Sequence, residues 1–210
     1  MSRDQVNSGT ALPQSTALPT PFFEDVKTLR LDLVPVTAES LHCQARNAAD
    51  MRAELGAILH AEVPNTWPHE NWEPHVLEYL LNLIAADSEA IGWCRYLMLR
   101  HPDGSERTPE RILIGSFGSG FPKLETGQAE IGYGILPQWQ RQGFAVEAVE
   151  AMLPWLQTRR EIRAFVAQTF PHLYGSIRVL EKSGFQPAGA GFEEGTILFR
   201  RECDPVPGGC

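Results

Sequence analysis

The chain has 210 residues and a formal net charge of −8, from 26 acidic against 18 basic residues, which excludes the basic footprint a nucleic-acid binder needs. Hydrophobic residues make up 43% of it, enough to fill a core of ordinary size. No stretch reaches the roughly 18 apolar residues of a spanning helix, and Asp4, Asn7 and Ser8 interrupt the order of a signal peptide, so a soluble cytoplasmic protein with no membrane or nucleic-acid partner is expected.

Residues 1–21 are rich in Ser, Thr, Pro and Gln without an apolar period and read as a flexible leader; residues 203–210 read as a loose tail. Between them, 22–202 suits one domain. Leu29 to Val36 alternates, with Leu29, Leu31 and Leu33 on one side, and predicts a half-buried strand ended by Pro35. Thr37 starts a helical stretch to about His60, with Leu41, Ala45, Ala48, Leu55 and Leu59 near helical spacing and Gly56 weakening its later part. A loop holding Pro64, Trp67, Pro68 and Trp72 follows. Pro74 then suits the first turn of a second helix that runs through Ile84.

Ile91 to Leu99, Arg111 to Phe117 and Gln128 to Leu136 read as strands, the first two joined by the turn residues Pro102 to Ser105. Gln142 to Gln157 reads as a helix that Pro154 should kink or locally break. A strand, Glu161 to Thr169, and a helix, Tyr174 to Ser183, come next, with Gly184 placed for a left-handed cap. Phe185 to Ala188 and Thr196 to Arg201 close the chain as short strands. The series predicts an α/β (α+β) mixed sheet with helices packed on it, neither a Rossmann series nor a barrel.

The chemistry-bearing segment is the strand, tight loop and helix start from Ala129 to Ala148. Gly143 and Ala145 are small, so a ligand can approach the backbone. Free N–H groups from about Gln142 to Val146, with the helix dipole, suit a pyrophosphate. Gly132 and Gly134 interrupt the preceding strand, where a bulge would leave backbone groups for an amide-bearing arm. An ordinary helix start packed through small residues is the alternative. Gly115 to Gly120 lacks the Lys-Ser/Thr of a phosphate loop and reads as a strand connection bordering a pocket. The four cysteines form no CxxC pair and the six histidines no HExxH, so no metal is expected.

Gln140-x-x-Gly143-x-Ala145 resembles the Gln/Arg-x-x-Gly-x-Gly/Ala signature of the GNAT acetyltransferase superfamily. The string from Glu130 to Ala148, the segment Ser176 to Phe185 with its Glu-Lys-x-Gly-Phe ending, and the opening Leu29-Arg30-Leu31 are similar to its ribosomal-protein N-acetyltransferase-like branch, over roughly Leu29 to Arg201. The resemblance implies a GNAT fold, a mixed central sheet splayed in the middle with helices on both faces, holding acetyl-coenzyme A in the cleft. It implies the pyrophosphate on amides around Arg141 to Ala145, within a cofactor set of Ile135, Leu136, Gln140, Arg141, Gln142, Gly143, Phe144, Ala145 and Ser176. The pantetheine arm should pair with strand backbone near Ile135 and Leu136. Two places depart from the pattern: Leu173 stands where the family often has an Asn that touches the cofactor arm, and Leu180 where many relatives carry the Tyr that protonates the thiolate.

The implied activity is direct transfer of an acetyl group to a primary amine in a ternary complex. An alkylamine is mostly ammonium at neutral pH and needs a base. Glu130, on the central strand, is the candidate base, and Ser176 the candidate acid or thiol contact. A paired strand glutamate and a helix-start serine are the structural alternatives. Trp67, Trp72 and Tyr133 are candidates for the acceptor rim, against simple packing. The acceptor is a protein N-terminal amine or a small amine; an acidic cleft would suit a polyamine or aminoglycoside, a long open groove a peptide. A monomer or homodimer is expected. A non-catalytic acyl-coenzyme A sensor is the alternative that Leu173 and Leu180 keep open.

Overall fold

The computed structural model describes residues 24–46, 48–69, 72–87, 90–101 and 111–203. The expected leader, the turn at Pro102 to Ser105, and the tail beyond Cys203 lie outside the described residues. Eight strands form one mixed sheet in the order β1-β2-β3-β4-β5-β6-β8-β7. They are β1 (Val26–Lys27), β2 (Leu31–Pro35), β3 (Cys94–Arg100), β4 (Arg111–Ser119), β5 (Gln128–Ile135), β6 (Ala164–Thr169), β7 (Gln186–Ala190) and β8 (Ile197–Glu202). The helices are α1 (Ala38–Ala45), α2 (Met51–Leu59), α3 (Pro74–Ala86), α4 (Phe144–Gln157) and α5 (Tyr174–Lys182).

Strand alternation sends side chains to two faces, and each face builds a core. Leu31, Leu33, Leu97, Ile114 and Ile131 pack with Val149 and Met152 of α4 and Leu180 of α5. Tyr96, Met98, Leu113 and Leu136 pack on the other face with Leu41, Leu55 and Leu77 of α1 to α3. The mixed sheet with helices on both faces that the sequence led us to expect is what forms.

Three local expectations change. Leu29 is 87% exposed, because Thr28 and Leu31 close a tight turn (Thr28 N to Leu31 O 2.9 Å, Leu31 N to Thr28 Oγ1 2.9 Å) that joins β1 to β2. The helix expected from Thr37 to His60 is two helices. Thr37 caps the first in a capping box with Ser40, Met51 N bonds Ala48 O at the restart, and an Arg46–Glu54 ion pair ties the two together. The break leaves Ala45 and Ala48 exposed while Leu41 and Leu55 stay in the core. Pro154 does not break α4: it removes one hydrogen bond near the helix end, and the buried Met152, Leu153 and Leu156 hold the last turn in place.

One feature positions the site. β5 pairs with β6 in parallel only at Gln128, Ala129 and Glu130. From Ile131 onward it pairs with β4 alone, while β6 continues along β8. The sheet therefore opens into a V after Glu130. The close β4–β5 approach needs glycine: a Cβ on Gly115 would stand 2.1 Å from the Gly134 carbonyl oxygen.

Candidate active site

Hydrogen-bond parity fixes what faces the V. Gly120 N donates to Glu130 O (2.9 Å) and Leu136 N to Ile114 O (2.8 Å), so even-numbered residues of β5 turn their backbone groups toward β4. In an antiparallel ladder the alternate residues turn theirs away. The C=O of Ile131 and the N–H and C=O groups of Tyr133 and Ile135 consequently point into the gap that β6 has left. Leu136 differs from its sequence expectation: its N–H serves Ile114, its C=O accepts from Trp139 N at 2.9 Å, and its side chain is fully buried. The Ile135 carbonyl accepts from Gln140 Nε2 at 2.8 Å.

Where β5 ends, a 3-10 turn at Pro137–Trp139 leads into a loop with two left-handed residues, Arg141 (φ 63°) and Gly143 (φ 86°). Gly143 caps α4 with no side-chain hydrogen bond. The Phe144, Ala145 and Val146 amides begin the helix and lack intrahelical partners; the first amide to find one is Glu147, to Gly143 O at 3.0 Å. Gln140, Arg141, Gln142 and Gly143 are exposed around these donors, whereas the Phe144 ring is buried and offers only its amide. Unpaired amides at the positive end of a 14-residue helix are an arrangement that suits an anion.

A carboxylate in the first turn of that helix would repel an anion, and Glu147 is one. Arg30, in the turn just before β2, neutralises it: Nε reaches Glu147 Oε2 at 2.7 Å and the Arg30 amide donates to Oε1 at 2.8 Å, beside Thr28 Oγ1 at 2.6 Å. Burial opposes ionisation of Glu147, but the hydrogen bonds from Thr28 and Arg30 outweigh it and hold the carboxyl below its ordinary value. The same guanidinium donates to Gln142 O at 3.0 Å and lies 4.3 Å from the Phe144 ring centroid. Arg30 was not singled out in sequence because its partners lie 112 and 117 residues away.

Across the V, Tyr133 Oη donates to Ser176 O at 3.1 Å and lies 3.3 Å from Ser176 Oγ. Burial pushes the Tyr133 phenol up to about 12, so it stays a protonated donor. Tyr133 packs with the α4–α5 core, on the opposite face of β5 from Trp67 and Trp72, and so is not part of a rim with them. Those two tryptophans are 2% and 6% exposed and form core with Tyr96; Trp67 Nε1 donates to Gln44 Oε1 at 2.9 Å. The packing alternative therefore describes them. Leu180 is buried in the core, and Leu173 starts α5 without a side-chain cap.

Glu130 sits where the V begins. Its Oε1 accepts from Gln168 Nε2 at 3.0 Å. Gln168 is itself fixed, its Oε1 accepting from Phe192 N (2.9 Å), Glu193 N (3.0 Å) and Thr196 Oγ1 (3.0 Å) in the β7–β8 turn. Beside Glu130 opens a cavity of about 300 Å³, lined among others by Tyr79 of α3, Phe121, Lys123, Gln128 and Phe192. Farther along the same face, His69 Nε2 lies 2.8 Å from Ser116 Oγ, and a Cβ on Gly134 would come within 2.8 Å of its ring. Burial pushes the His69 imidazole down to about 4. Among the described residues no group of acidic, His and Cys side chains could hold a metal ion, and no helix is long and apolar enough to cross a membrane.

The sequence profile of the acetyltransferase (GNAT) domain matches residues 30–186. YjdG of Bacillus subtilis (strain 168), an uncharacterized N-acetyltransferase, is 24% identical over 160 residues, covering 76% of this chain and 88% of the relative. Among solved structures, the ribosomal-protein-S5-alanine acetyltransferase of Vibrio fischeri is similar with TM-score 0.56 and 16% identity, covering 85% of this chain and 96% of that one. RimL, a ribosomal L7/L12 alpha-N-protein acetyltransferase solved in complex with coenzyme A, is similar with TM-score 0.55 and 15% identity, over 85% and 98% of the two chains.

Proposed function

Because the chain belongs to the GNAT acetyltransferase family, we propose that it moves an acetyl group from acetyl-coenzyme A directly to a primary amine, with both held in the V between β5 and β6. The observation that carries this reading is the alignment of two backbone features. The inward N–H and C=O groups of Tyr133 and Ile135 lie on the strand that leads straight to the unpaired amides opening α4. A strand edge followed by an anion site is the complement of an amide-bearing arm that ends in a pyrophosphate.

In this reading Gly143, Phe144, Ala145 and Val146 hold the pyrophosphate through backbone donors, with Gln140, Arg141 and Gln142 around it. Ile135 and Tyr133 pair with the pantetheine amides; Leu136 supports them from the core. Bound acetyl-coenzyme A supplies the activated acyl group. Glu130 takes a proton from the acceptor ammonium, directly or through water, and passes it to solvent. The acceptor nitrogen then bonds to the acetyl carbon as the carbon–sulfur bond breaks. Of the two protons that nitrogen gives up, the second ends on the sulfur, delivered by the Ser176 hydroxyl, which lies beside Tyr133 Oη. A backbone N–H of β5 facing the gap stabilises charge growing on the acyl oxygen.

Calorimetric titration with acetyl-coenzyme A, coenzyme A and NAD tests the cofactor half, and thiol release across a panel of amines tests the chemistry. Binding of both coenzyme A forms without NAD, plus amine-dependent thiol release, is expected. Failure to bind either coenzyme A form would overturn the site.

A further inference from the structure

An acidic cleft would suit a polyamine or aminoglycoside as acceptor, and a long groove a peptide. The cavity beside Glu130 is neither. At about 300 Å³ it holds the volume of roughly ten liquid waters, the space of one amino acid. Its ionic groups are balanced: the Glu130 carboxylate on β5 and the Lys123 ammonium on the β4–β5 connection. Lys123 lies 4.9 Å from the Phe192 ring centroid, and no carboxylate of the described residues is paired with it. The remaining wall is largely apolar, from Tyr79, Phe121 and Phe192.

Resting on the acetyltransferase reading above, we infer that the acceptor is a free α-amino acid with an apolar side chain, its ammonium toward Glu130, its carboxylate toward Lys123, and its side chain against Phe121, Phe192 and Tyr79. The charges decide among amines that would fit. A second cation, as in a polyamine, meets the Lys123 ammonium and is repelled. A peptide offers an amide where Lys123 asks for an anion, and only a zwitterion satisfies both groups. The apolar wall and the base are also mechanically joined, since the turn that presents Phe192 fixes Gln168, and Gln168 fixes Glu130. A side chain that seats on Phe192 therefore bears on the element that orients the base.

The test is thiol release by the full chain with acetyl-coenzyme A and five acceptor types: leucine, methionine and phenylalanine; their amides; phenethylamine; a peptide with N-terminal phenylalanine; and spermidine. The free amino acids are expected to exceed the other four in kcat/KM by about tenfold or more, a difference of about 1.4 kcal/mol. Lys123→Met, at an exposed position, should raise KM for the amino acids about tenfold, leave that for the amides unchanged, and be rescued by Lys123→Arg. Equal or better use of the peptide, spermidine or the amides would overturn the inference, as would a Lys123→Met effect uniform across acceptors. Turnover with none of the panel despite acetyl-coenzyme A binding would also overturn it. Absence of cofactor binding would instead strike the acetyltransferase reading itself.

Discussion

Tyr133 and Ser176, one on β5 and the other in the first turn of α5, are joined across the open side of the sheet by a 3.1 Å hydrogen bond from the phenol to the Ser176 carbonyl. The bond links β5, one wall of the V, to α5, and the Ser176 hydroxyl lies beside it at 3.3 Å. If the phenol orients Ser176, the two residues act as a unit. Ser176→Ala should lower kcat about 10- to 100-fold with little change in the KM for acetyl-coenzyme A. Tyr133→Phe should cost about 1 kcal/mol of stability and a smaller fall in kcat. The double variant should be no worse than Ser176→Ala alone, which steady-state kinetics on the four proteins will read.

At the anion site two substitutions separate geometry from charge. Gly143→Asp adds a side chain at φ 86° and a negative charge beside the α4 amides, and should weaken acetyl-coenzyme A binding by about 100-fold or more, about 2.7 kcal/mol. Arg30→Ala leaves the amides in place but uncovers Glu147, and should weaken binding about tenfold. Adding Glu147→Gln to Arg30→Ala should recover part of that loss by removing the exposed charge. Calorimetry on the three variants checks all of these, and unchanged affinity in Gly143→Asp would remove the pyrophosphate from this loop.

Glu130→Gln should leave cofactor affinity nearly intact and lower turnover about 100-fold. The deficit should be largest at low pH, where the acceptor is ammonium, and should narrow as the free amine becomes abundant. A wild-type pH–rate profile in this variant would show that the proton leaves by another route.

His69 gives the fold a pH dependence of predictable sign. In the folded chain burial depresses its imidazole to about 4, while in the unfolded chain it titrates near 6.5, as a free histidine does. Above about pH 6.5 both states are neutral and the residue contributes no pH slope. As pH falls from 6.5 toward 4 the unfolded state binds the proton first, and stability drops by up to about 1.4 kcal/mol per pH unit. Denaturant titrations between pH 7 and 4.5 should show a shallower decline in His69→Asn than in the wild type. Parallel declines would mean that the imidazole is not held neutral in the folded state.

Much of the fold was legible because its signals are local. The proline-started α3 and the Gly184 cap each act within a few residues, and each appears where the pattern placed it, whereas the alternation expected of β2 gives way to a strand buried at four of its five positions. A left-handed glycine before an apolar helix also exposes amides whatever surrounds it, and Gly143 does so ahead of α4. Errors arose where one local signal had two tertiary outcomes. The leucine spacing from Leu41 to Leu59 fits one helix or two that share a core. Trp67 and Trp72 fit a rim or an interior, and Gln44, Tyr96 and the α1–α3 layer decide for the interior.

The sequence by itself determined most of the order of elements and the glycine-dependent turns, and it singled out the segment from Ala129 to Ala148 as the candidate bearer of chemistry. Tertiary structure decided where β5 leaves β6, and so which of its backbone groups are free. It also decided that Arg30 silences Glu147, that Tyr133 holds Ser176, and that Lys123 and Phe192 share a cavity with Glu130. The reason is separation: these contacts join residues 43 to 117 positions apart or distinct loops, and no local periodicity carries the register at which distant strands part.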